Sequence, residues 1–177
     1  MSEPVWVPLG GSQATRRERI PIRLRVPRSS TLAGNSAYSV TALTAHDFAV
    51  WEFVNNVEGR IYGYVTLPLS FATTPTPTIW LTLASGVASG NMRFRVSTKC
   101  VVDGQSFNPA AFTAESYQNI PSGGIWIRKD AAYPIQEPLV PRGLLLVEIT
   151  RDGANAVDTA EGVAYLIEAY LEIDLGA

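Results

Sequence analysis

The chain has 177 residues, 46% hydrophobic and 17% charged, a length that fits one domain plus an arm. One cysteine excludes an internal disulfide, and one cysteine with one histidine excludes a protein-only zinc site within a single chain. The net charge of −2 is unevenly divided: residues 1–45 carry six arginines against two glutamates (+4), and residues 46–177 carry eight basic and fourteen acidic groups (−6). Charged residues fall below the usual quarter, which hints at surface covered by other subunits.

The opening M-S-E-P-V-W-V-P-L-G-G has no basic stretch followed by an apolar one, so a secretory signal is not expected. No segment approaches the roughly 20 apolar residues of a membrane span. The expectation is a soluble chain made in a cytoplasm, with no membrane partner.

Residues 1–45 read as an extended basic arm, with four prolines and little sustained periodicity. Within it, Ile20, Ile22, Leu24 and Val26 alternate with Pro21, Arg23, Arg25 and Pro27. Two prolines remove donors, so this piece suits an edge strand or a strand added to another sheet. Capping its own sheet and docking on another subunit are both open readings. A basic arm on an acidic body suits some other acidic surface, a neighbouring copy included. The contact residues expected for such docking are Arg16, Arg17, Arg19, Ile20, Ile22, Arg23, Leu24, Arg25, Val26 and Arg28. Deleting the arm is then expected to leave the body folded.

From residue 46 onward the pattern predicts strands near 47–55, 59–68, 77–84, 91–102, 124–129, 143–151 and 162–174. An eighth falls in 111–119 or in 31–43, and Pro109 to Tyr117 could instead form one or two helical turns. Asn55-Asn56, Glu58-Gly59, Ser85-Gly86, Asp103-Gly104 and Asp152-Gly153 supply turns. The clearest strand is 91–102. Met92, Phe94, Val96, Thr98 and Cys100 form its apolar face, and Asn91, Arg93, Arg95, Ser97 and Lys99 the polar one. Cys100 is therefore expected to be buried and inert. The fold class is all-β: a jelly-roll-like antiparallel β-sandwich over 46–177, carrying the arm 1–45.

No catalytic constellation accompanies these strands. His46 stands alone beside Asp47, without a Gly-x-Ser-x-Gly elbow. Glu168, Glu172 and Asp174 share one strand face, suited to water or a basic partner. The stretch Asp152, Asn155, Asp158, Glu161 offers oxygen ligands, but not at EF-hand spacing, and reads as a polar loop. No metal or cofactor site is assigned. The arginines of 16–28 could neutralise nucleic acid, yet their interleaving with Ile and Leu favours a strand over a polycation, and protein over nucleic acid as partner. Trp51, Trp80 and Trp126 fall in predicted strands, as core or interface residues.

Two stretches resemble a family of tailed-phage virion proteins with jelly-roll domains. They are P-T-I-W-L-T-L-A-S-G-V-A-S-G-N-M-R-F-R-V-S-T-K-C-V-V-D-G-Q-S-F and R-G-L-L-L-V-E-I-T-R-D-G-A-N-A-V-D-T-A-E-G-V-A-Y-L-I-E-A-Y-L-E. What the resemblance implies is a non-enzymatic virion structural protein. Its leading form is a head decoration (cement) protein on the capsid surface, bridging subunits of the major capsid protein and forming a homotrimer with sister copies. A receptor- or glycan-binding jelly roll of a tail or head fibre is the alternative. A small jelly-roll coat protein whose arginine arm faces the genome is the third form.

Overall fold

Alternation of apolar and polar residues decides which strands form and which way they face. The computed structural model describes residues 16–25, 36–39, 50–106, 112 and 114–175. In chain order the strands are β1 (Arg16–Pro21), β2 (Arg23–Arg25), β3 (Ser36–Ser39), β4 (Val50–Phe53), β5 (Glu58–Thr66) and β6 (Thr78–Ser85). They continue with β7 (Asn91–Val101), β8 (Ala114–Pro121), β9 (Lys129–Pro134), β10 (Leu144–Asp152) and β11 (Ala164–Leu175). The described residues contain no helix.

The strands make two sheets with antiparallel pairing throughout. The first runs β3-β4-β11-β6-β9, with β1 also paired to β11, and the second runs β2-β5-β10-β7-β8. One edge of β11 faces β6, so β4 (at Ala164–Leu166) and β1 (at Tyr170–Leu175) share the other edge. Between the sheets lies one continuous apolar core, including Phe53, Ile61, Leu81, Phe94, Val147 and Leu171. Phe53 and Phe94 meet edge to face across it, with centroids 5.4 Å apart. The protein is a jelly-roll-like β-sandwich.

The run read as an arm is built into this sandwich. Arg16–Pro21 pairs with β11 of the first sheet, Ile22 donates its N–H to Ala169 O at 3.0 Å, and Arg23–Arg25 then pairs with β5 of the second. Of the two open readings, the chain adopts the one in which this segment caps its own sheets. Ile22 is 6% exposed and belongs to the core. The crossing comes so close to β5 that a Cβ at Gly63 would lie 2.6 Å from Ile22 Cγ2 and 3.0 Å from a Leu24 methyl. Only glycine fits there. Val26, Arg28 and His46 lie outside the described residues.

Three expectations change. The strand predicted at 124–129 is a loop, and the strand begins at Lys129. Gly123, Gly124 and Trp126 all have positive φ (65°, 132° and 62°), which breaks the extended path. The alternatives for an eighth strand are both occupied, by β3 and β8, and Ala114–Tyr117 is extended instead of helical. On β7 the face assignment holds at Met92, Phe94 and Val96, but Cys100 is only half-buried, because the inward face runs out at the rim of the sandwich. Burial still pushes its thiol above the ordinary value.

The expectation that the body folds without the arm does not survive this topology. Removing residues 1–25 bares one edge of each sheet and opens the core at Ile22, and the truncated chain is expected to aggregate or unfold without a cooperative transition. Ile22→Ala should cost about 2–5 kcal/mol and Ile22→Val about 0.5–1.5 kcal/mol in urea denaturation.

Candidate binding face of the second sheet

Because the strand period is two, the residues that do not enter the core form an ordered outer face. On β5, Gly59, Ile61, Gly63 and Val65 turn inward, leaving Glu58, Arg60, Tyr62 and Tyr64 outward. Register then aligns them in rows across the sheet. Arg23, Tyr64, Leu146 and Lys99 form one row; Arg25, Tyr62, Glu148, Ser97 and Glu115 the next; Arg60, Thr150, Arg95 and Tyr117 the third. Beyond these, Arg93 Nε approaches Asp152 Oδ2 (3.4 Å) and Arg93 Nη1 donates to Asn119 Oδ1 (3.5 Å).

Arg95 is the hub of the face. Its Nη2 donates to Glu58 Oε1 (3.2 Å) and to Glu148 Oε1 (3.3 Å), and its Nη1 lies 3.6 Å from Glu115 Oε1. Arg60 Nε donates to the same Glu58 oxygen at 2.7 Å. The guanidiniums of Arg93 and Arg95 sit 4.9 and 5.9 Å from the centre of the Tyr117 ring. Tyr117 is 43% exposed, and its hydroxyl donates to Glu115 Oε2 at 2.9 Å. Towards the other margin Phe112 stacks on Tyr62, with centroids 6.2 Å apart. Burial and then the Glu148 carboxylate raise the Tyr62 phenol, while hydrogen bonds from Arg23 and then Arg25 lower that of Tyr64. The result is an open aromatic ring among side-chain donors and acceptors whose positions are already fixed.

A second polar structure supports this face from the loop end. Arg151 is fully buried, and its guanidinium grips both oxygens of Asp158, Nε to Oδ2 at 2.9 Å and Nη2 to Oδ1 at 2.8 Å. It also donates to the carbonyls of Phe53 (3.1 Å), Ala160 (2.7 Å) and Gly162 (2.5 Å). Asp158 in turn accepts the N–H of Arg93 at 2.9 Å. The oxygen-rich stretch 152–161 is thus a loop in which Asp152 and Asp158 serve arginines, Asp152 accepting from Asn155 Nδ2 (3.0 Å) and lying close to Arg93.

The docking residues expected from sequence are dispersed by the fold. Arg17 and Arg19 lie on the acidic strand face predicted for a basic partner: Arg17 reaches Glu172 and Asp174 (both 3.5 Å), and Arg19 reaches Glu172 (3.3 Å) and stacks over Tyr170. Arg16 is exposed, Ile20 and Leu24 pack half-buried on the core, and Ile22 is inside it. Arg23 and Arg25 stand exposed at the edge of the second sheet. Trp126, placed in a strand by sequence, is 44% exposed at a loop tip and leans on Tyr165, with centroids 4.5 Å apart. Sequence reasoning missed Arg151 and Tyr117. Parity would have placed Arg151 inward, since it follows Leu145, Val147 and Ile149 at even spacing.

No protein-family model matches the chain, and no curated protein does. Among solved structures, a family 35 carbohydrate-binding module from an environmental isolate is similar to it, with TM-score 0.53, 13% identity, and coverage of 87% of this chain and 91% of that one. The xylan-binding module CBM15 is similar at TM-score 0.50 and 11% identity, covering 92% and 99%. The enzymatically active domain of a bacteriophage CBA120 tailspike protein shares 6% identity at TM-score 0.44, covering 88% of this chain and 19% of that one. At such identities the likeness is one of fold.

Asp158→Ala strands a fully buried guanidinium and is expected to cost about 3–5 kcal/mol in urea denaturation. Arg128→Ala, which breaks the exposed pair with Asp130 at 2.9 Å, should leave the urea midpoint essentially unchanged.

Proposed function

We propose that this protein is a glycan-binding jelly roll that takes its ligand on the outer face of the second sheet, in the manner of a receptor-binding component of a phage tail or head fibre. The carrying observation is Tyr117, 43% exposed and flanked by Arg93 and Arg95 in a field of fixed carboxylates and Asn119. A sugar ring offers apolar C–H groups to an aromatic face and hydroxyls that both donate and accept. This face meets both needs without rearrangement, which lowers the cost of ordering the site on binding. The two fold neighbours described above are named for carbohydrate binding, and one of them for xylan. That supports the reading, as the sequence resemblance supports the virion setting.

The role is binding without turnover. Glycosidic cleavage needs a carboxyl group held neutral as acid beside a second carboxylate. Here Glu58, Glu148 and Glu115 all converge on Arg95, and Asp152 on Arg93. The head-decoration reading, the leading form implied by the resemblance, has an arm reaching along neighbouring subunits. Residues 16–25 are strands of their own sandwich, so that means of contact does not favour it over the binding role.

Affinity electrophoresis through gels containing soluble polysaccharides tests the proposal. Wild-type protein should be retarded by at least one of them, and Tyr117→Ala should weaken that binding at least tenfold with an unchanged urea midpoint. Retardation that persists undiminished in Tyr117→Ala would refute this face as the site.

A further inference from the structure

The outer face of the second sheet carries more positive charge than ion pairing consumes. Six cations face outward there against four carboxylates, a net of +2 on a chain whose total is −2. Arg95, Arg93 and Arg60 each have carboxylate partners. Among the described residues no carboxylate lies within ion-pair distance of Arg23 or Arg25, and the polar group they share is the Tyr64 hydroxyl. Their neighbours in sequence show that this is not a general property of the segment, since Arg17 and Arg19, one strand earlier, are satisfied by Glu172 and Asp174.

The strand geometry presents the pair as a unit. Arg23 and Arg25 sit two residues apart on β2, so their side chains leave the same face roughly 7 Å apart along the strand. They stand opposite Tyr64 and Tyr62, and the Arg25 row runs across the sheet to Glu115, beside the row that holds Arg60, Arg95 and Tyr117. Both arginines are exposed and β2 is the sheet's edge strand, so a long ligand can enter from that side. Guanidinium groups recognise carboxylate and sulfate oxygens through paired, charge-assisted hydrogen bonds.

Resting on the glycan reading above, we infer that the ligand is an anionic saccharide, whose carboxylate or sulfate groups are held by Arg23 and Arg25 while its sugar rings lie along the face towards Tyr117. A nucleic acid fits the surface less well. Glu58, Glu148 and Glu115 are interleaved with the arginines across this face and would repel a continuous phosphate backbone. Two exposed arginines also match sparse charge better than the one charge per about 1.7 Å of duplex DNA. The protein's overall negative charge opposes unspecific adhesion to polyanions, so retention on one reports a local site.

Affinity electrophoresis tests this with polygalacturonate, its methyl-esterified counterpart, dextran sulfate and dextran as probes. Polygalacturonate or dextran sulfate should retard the protein at least tenfold more strongly than its neutral counterpart, and which of the two does so identifies carboxylate or sulfate as the bound group. Arg23→Gln/Arg25→Gln, folded as judged by circular dichroism, should lose that preference. Log affinity should fall against log salt with a slope of roughly −2. Equal retardation by charged and neutral polymers, abolished by Tyr117→Ala, would overturn the anionic ligand and leave the glycan face standing. Retardation by none of the four would overturn both. Displacement of the bound polysaccharide by an equal mass of duplex DNA would overturn the saccharide in favour of a general polyanion site.

Discussion

A single buried guanidinium organises the loop end of this sandwich. Arg151 stands where the last inward position of β10 should carry an aliphatic side chain, and instead of filling volume it gathers acceptors. Asp158 supplies its charge partner, and the carbonyls of Phe53, Ala160 and Gly162 accept its other N–H groups. The usual objection to a buried ion pair is the cost of desolvating it. Here that cost is offset because the same group satisfies backbone oxygens from two separate connections, which no apolar substitute could do. The loop so fixed holds the start of β7 through the N–H of Arg93. The outer face of the second sheet thus inherits its order from a residue that lies beneath it.

What the sequence shows of this structure depends on how many faces of a strand are constrained. β7 is legible because one face is apolar and the other charged, so only one orientation satisfies both. β8 is not. It is an outer strand of its sheet, and its inward positions Ala114, Ser116 and Gln118 are small or polar, with Gln118 spending its amide on the Ala132 carbonyl. Period two carries no hydrophobic signal there, and helix and strand look alike. Ile125-Trp126-Ile127 errs in the opposite direction. Its residues favour strands, but the two preceding glycines and Trp126 itself adopt left-handed backbone, a conformation that propensity does not register.

The charge division between the two halves of the chain is plain from the sequence, but its resolution is not. Arginines at 17 and 19 and acids at 172 and 174 lie more than 150 residues apart in sequence and meet only because β1 lies antiparallel to β11. A segment that looks like an appendage by composition is bound by main-chain hydrogen bonds, by Ile22 and by those ion pairs together. Arg23 and Arg25, from the same run, belong to the other sheet and meet no such complement among the described residues. One short stretch therefore has two electrostatic characters, and only the topology separates them.

The pairing of β1 with β11 also sets how the molecule bears force. Arg16 lies opposite Leu175, so the first residue of β1 and the last of β11 are side by side. Tension applied through them does not shear the strand pair along its length. It opens the ladder from the Arg16 end, one hydrogen bond after another, and the load reaches Ile22 and the core only after β1 has peeled away. A fold that is thermodynamically tied together by its first strand is, under tension through those ends, weakest at that same strand.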